Sequence, residues 1–200
     1  MAQEESESIA AFAELALDLM AAGAPLELVT RCHQAALEEA RHTQTCLSVA
    51  SALDGRLVPL TKPARLLDVR RRPRWRAALL VRLAVESYFD GWVGEASSGR
   101  VLAQLAREAR DPQIRDALRQ LAREEMGHAR LGADIVRWCT QAGGPLVQRA
   151  LAIARHHAVR PELSPKAGAA TENLRYLGVP DAALRAAALQ SAHAAVAASA

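Results

Sequence analysis

Two short stretches, Glu39-Ala-Arg-His42 and Glu125-Met-Gly-His128, each set an acid three residues before an imidazole, and each lies inside a long tract of helical phase. Residues three apart on a helix share a face, so each stretch aims a carboxylate and an imidazole the same way. In the first tract the apolar stripe runs Leu28, Cys32, Ala35, Cys46, Val49, Leu53, and Glu39 and His42 continue it. In the second it runs Ile114, Leu118, Leu121, Ile135, Cys139, with Gly132 between, and Glu125 and His128 fall in its middle. A chain that folds these tracts as helices must turn two acids and two imidazoles toward its own core. Buried carboxylates are costly unless they are paired or bound to metal. The fold must therefore bring compensating groups to the same place.

Composition says which fold class can do this. Half of the 200 residues are apolar, mostly Ala and Leu, and only 4% are aromatic. Ala, Leu, Arg and Glu favour helix and β-branched residues are sparse, which predicts an all-α chain. Gly and Pro mark the stops. Helices are expected over residues 2–22, 26–53 and 75–110, then from Asp111 as N-cap to Gly143-Gly144-Pro145. A fifth is expected over 146–157, residues 158–179 as loop, and an Ala-rich helix from about Pro180. The stretch from 54 to 74, "DGRLVPLTKPARLLDVRRRPR", has no helical phase and carries three prolines. Helix, tight turn, helix thus occurs twice, joined by a connection of about 20 residues. At roughly 3.3 Å per residue such a connection can cross a whole bundle. Two hairpins joined by one long crossover is the layout of the ferritin-like four-helix bundle. Residues 1–142 would form it, and 143–200 a C-terminal helical extension on the bundle or on a second subunit.

A dinuclear site needs more negative charge than two carboxylates. On the first helix the stripe Ile9, Phe12, Ala16, Leu19 extends back by four to Glu5, while Glu7 and Glu14 sit on other faces. On the third, Glu95 falls in phase with Val81, Tyr88, Leu102 and Ala106, and Glu86 points about half a turn away, counting 100° per residue. Glu38 and Glu124 lie off the stripe and read as solvated. Four glutamates and two histidines, Glu5, Glu39, His42, Glu95, Glu125 and His128, then converge at mid-bundle. Hard carboxylates with imidazole suit iron or manganese, two ions per chain.

The segments "ESESIAAFAELALDLMAAGAP", "HQAALEEARHTQTCLSVAS", "ESYFDGWVGEASSGRVLAQLA" and "REEMGHARLGADIVRWC" together resemble bacterial ferritin-like di-iron carboxylate proteins, over roughly residues 5–142. The resemblance implies terminal ligands at Glu5 and Glu95, bridging carboxylates at Glu39 and Glu125, and terminal imidazoles at His42 and His128. It implies these six as both the metal-binding and the catalytic set. It is specific for the superfamily and not for the reaction, because storage, oxidase and oxygenase members share it.

Other features narrow the function classes. The net charge is +3, and Arg far outnumbers Lys, 23 to 2, which reads as compositional bias and not as a nucleic-acid surface. The Arg70, Arg71, Arg72, Arg74, Arg76 cluster reads as solvated crossover. No apolar run reaches the 18 or so residues of a membrane span, and the acidic start lacks a signal-peptide layout. Three cysteines without framework spacing predict a reduced, cytoplasmic protein. Cys32, Cys46 and Cys139 read as packing groups, as do Tyr88, Trp92 and Trp138, and His33 as surface. The expected function is a non-haem di-iron oxidase or oxygenase that uses dioxygen or peroxide on a small molecule. The alternatives are a ferroxidase or iron-storage protein, and a structural or dimerisation module that keeps its metal site.

Overall fold

A computed structural model describes residues 1–60, 73, 75–157 and 174–199. Arg70, Arg71, Arg72 and Arg74, with most of the phase-less connection, lie outside the described residues, as do 158–173 of the expected loop. Among the described residues every regular element is helical and there is no strand. The elements are α1 (Ala2–Ala22), α2 (Leu26–Asp54), α3 (Arg76–Glu86), a π-helical segment (Ser87–Gly94), α4 (Glu95–Glu108), α5 (Pro112–His157), a 3-10 turn (Arg175–Leu177) and α6 (Ala182–Ser199). No described helix is long and apolar enough to cross a membrane. The chain divides into two compact units, Met1–Leu83 and Ala84–Ala200, and the division falls inside α3.

In the first unit α1 and α2 form a hairpin. Gly23 ends α1 in the left-handed region, φ 76°. Its N–H and that of Ala24 bond back to the carbonyls of Met20 and Leu19 at 3.1 and 2.9 Å, the paired closure of a Schellman turn. Pro25 then opens α2. Phe12, Ala16, Leu19 and Ala22 of α1 are buried, as are Leu28, Val29, Cys32 and Ala35 of α2. The start of α3 is tied to α1: Arg76 donates from Nε to the Ala22 carbonyl at 2.8 Å, and Arg82 pairs with Asp18. The expected stripe is thus correct in its middle and overextended at its ends, for Ile9, Cys46 and Val49 are only half-buried.

In the second unit α4 and α5 form the other hairpin. Asp111 caps α5 as expected, its Oδ1 accepting from the N–H groups of Gln113 and Ile114 at 2.7 and 3.2 Å. The Gly143-Gly144-Pro145 stop appears as a break within α5, where Gly144 leaves helical conformation at φ 56°, ψ −142°. Helix α6 packs on α4 and on the π-helical segment through Leu184, Ala188, Ala192 and Val196. Asp181 caps it, accepting from the Leu184 N–H at 2.8 Å, and also binds Arg175.

One expectation fails here. A uniform 100° per residue does not hold along the third long helix, because residues 87–94 wind as π-helix. Phase counted through that stretch does not carry from Glu86 to Glu95. Val81 correspondingly falls outside the core, where Leu79, Leu80, Leu83 and Ala84 are buried instead.

Candidate metal centre

Each unit gathers two glutamates and one histidine. In the first, Glu5 stands in the opening turn of α1, and Glu39 and His42 lie midway along α2. One ligand atom from each lies within 4.8 Å of the others. Glu39 and His42 are each 1% exposed, with Glu39 Oε2 3.4 Å from His42 Nδ1. Glu5 is half-buried. Its neighbour Glu4 is exposed and pairs with the terminal ammonium of Met1 at 2.9 Å, so the first turn separates the two acids cleanly.

In the second unit Glu95, the first residue of α4, joins Glu125 and His128 of α5, again with ligand atoms within 4.8 Å of one another. Glu125 is 1% exposed and His128 3%, and Glu125 Oε2 lies 3.7 Å from His128 Nδ1. All six residues expected from the sequence thus fall in these two groups, three per unit. Glu38 and Glu124, expected as solvated, are half-buried and accept from Gln34 and Gln120 one turn away, at 3.0 and 3.2 Å.

These triads could hold metal ions. Two carboxylates and an imidazole crowded within 4.8 Å repel and desolvate one another, and a divalent cation offsets both penalties. Carboxylate oxygen with imidazole nitrogen is a donor set that suits iron and manganese and does not by itself distinguish them. Cysteine adds nothing to it. Cys32, two turns before Glu39, has its thiol pushed up to about 12 by burial, against a smaller opposing effect of Arg31, and so stays protonated.

What holds Glu95 in place was not legible from spacing. Gly91 in the π-helical segment lies against Gly132 of α5, so close that a Cβ on Gly132 would stand 2.6 Å from the Gly91 carbonyl carbon. Gly132 is one turn past His128, so this close approach fixes the π-helical segment against the stretch of α5 that carries the imidazole. Tyr88 is buried in the same segment, edge-on to Phe89 and Trp92, with the Arg155 guanidinium 4.4 Å over its ring. Trp92 and Trp138 are half-buried and His33 is exposed, as read from sequence.

Comparisons with protein-family models, with curated proteins and with solved structures give no match.

Proposed function

We propose that the chain is a ferritin-like, non-haem dinuclear carboxylate protein that acts as an oxidase or oxygenase on a small molecule. The observation that carries this is the pair of like triads, Glu5–Glu39–His42 and Glu95–Glu125–His128, whose Glu-x-x-His members are almost fully buried. Structural ion pairs do not need a buried imidazole beside two carboxylates in each of two units. In this reading Glu5, Glu39, Glu95 and Glu125 would supply the carboxylates of one dinuclear centre, and His42 and His128 its imidazoles. Two ferrous ions so held would supply two electrons to dioxygen. The protein's own part is to fix donor number and charge: four carboxylates against two divalent ions leave the assembly neutral, and two neutral imidazoles complete it. Helix α6, packed on α4 and the π-helical segment, favours a covered site with a small organic substrate over an iron store.

Stopped-flow absorbance of the ferrous-loaded protein mixed with oxygenated buffer tests the chemistry. Fast oxidation of iron that stays bound supports an oxidase or oxygenase. Oxidation with continued uptake of many irons per chain supports the ferroxidase, and inert binding supports the structural module. Iron K-edge absorption tests the pairing, with an iron–iron vector expected at about 3.5–4 Å; isolated mononuclear irons would refute the shared centre.

A further inference from the structure

Helical threonines and serines in this chain mostly return their hydroxyl to the backbone one turn earlier. Thr30 donates to the Leu26 carbonyl at 2.9 Å, Thr45 to Arg41 at 2.9 Å and Thr140 to Val136 at 2.8 Å. This is the default for a helical hydroxyl. Thr43 departs from it. It is 5% exposed, and its Oγ1 has no hydrogen-bond partner among the described residues. A buried hydroxyl left so costs stability, and a valine of the same shape would avoid the cost. Thr43 stands one helical turn beyond Glu39, on the face that carries it, and about 100° round the helix from His42.

We infer that Thr43 is a positioning residue whose hydroxyl donates a hydrogen bond to a small anionic ligand taken up at the Glu5–Glu39–His42 triad. The inference rests on the metal-binding reading above. The triad offers carboxylate oxygens, which only accept, and an imidazole committed to the same cluster. An incoming anion therefore needs a donor from the protein. A threonine hydroxyl is neutral, compact and stiff at χ1, and can donate without adding a charge that would compete with metal. Its departure from backbone bonding leaves it free to do so.

The test uses azide as the probe on full-length protein loaded with ferric iron, following the azide-to-iron absorption band. Iron content is measured first in every variant. Wild type and Thr43→Val should carry the same iron, but Thr43→Val should bind azide about tenfold more weakly, the loss expected for one hydrogen bond to a charged partner. Thr43→Ser should stay near wild type, and Thr140→Val, which removes a backbone-bonded hydroxyl, should change nothing. Metal-free Thr43→Val should melt at or above the wild-type temperature, since a penalty has been removed. Equal azide affinity in iron-loaded wild type and Thr43→Val overturns the inference alone and makes an enclosed water the hydroxyl's partner. Wild type that takes up no iron overturns the metal reading and this inference with it.

Discussion

Glu39 and Glu125 are long acidic side chains held almost entirely out of water, and that placement sets what their neighbours must be. Desolvation disfavours their charge, and each crowding carboxylate disfavours it further. An imidazole at i+3 relieves part of this and a cation relieves most. His128→Ala should therefore remove metal from its own triad while leaving the Glu5–Glu39–His42 triad occupied. Metal analysis beside far-ultraviolet circular dichroism checks this; loss of helix together with metal would mean that His128 is structural. Cys32 makes a contrasting prediction. Its thiol, pushed up to about 12, should resist iodoacetamide in the folded protein at pH 8–9 and react at once on unfolding. Labelling of native Cys32 at the rate of a free thiol would contradict the burial that raises it.

At the scale of elements, the most exacting contact is between the π-helical segment and α5. Gly132→Ala would drive a methyl group into the Gly91 backbone, which cannot yield as a side-chain tip could. The expected cost is about 1–3 kcal/mol, read as a lowered midpoint in urea, together with weaker metal binding because Glu95 follows the displaced segment. An unchanged midpoint would show that the close approach is loose. This contact also explains what the sequence could and could not tell. Glu39–His42 and Glu125–His128 were legible because a three-residue spacing is local and survives any tertiary context. Glu5 followed from phase along a regular helix. The winding at 87–94 was not legible, since it depends on how near α5 comes, and Gly91 and Gly132 are 41 positions apart in sequence. Ile9, Val49 and Val81 were overcounted as core because apolar phase marks a face and not how far along that face a neighbour extends. Helix α6 carries its own prediction. The Asp181 carboxyl is held below the ordinary carboxylate range, first by its hydrogen bond to Arg175 and then by the Leu184 N–H. A depressed acid stabilises above its unfolded value and ceases to do so as pH falls through the folded one. The latch should thus hold at neutral pH and loosen only in strong acid. Asp181→Ala should cost about 1 kcal/mol at pH 7, as loss of a helix cap does, and nothing at low pH.

Across the whole molecule, each of the two units brings one acid–acid–imidazole triad, and every proposed ligand precedes the Gly144 break. Removing residues 180–200 should leave metal binding intact while altering turnover or assembly. Metal bound to the folded state alone must also stabilise it, by about 2.7 kcal/mol at a hundredfold excess over the dissociation constant. Iron or manganese should therefore raise the melting temperature, and coincident melts with and without metal would refute a site formed on folding. The most direct measurement is an anaerobic ferrous titration of the full chain followed by metal analysis after desalting. Saturation at about two irons per chain, one for each triad, is the expected result; saturation at one, or no retained iron, would contradict a two-metal site.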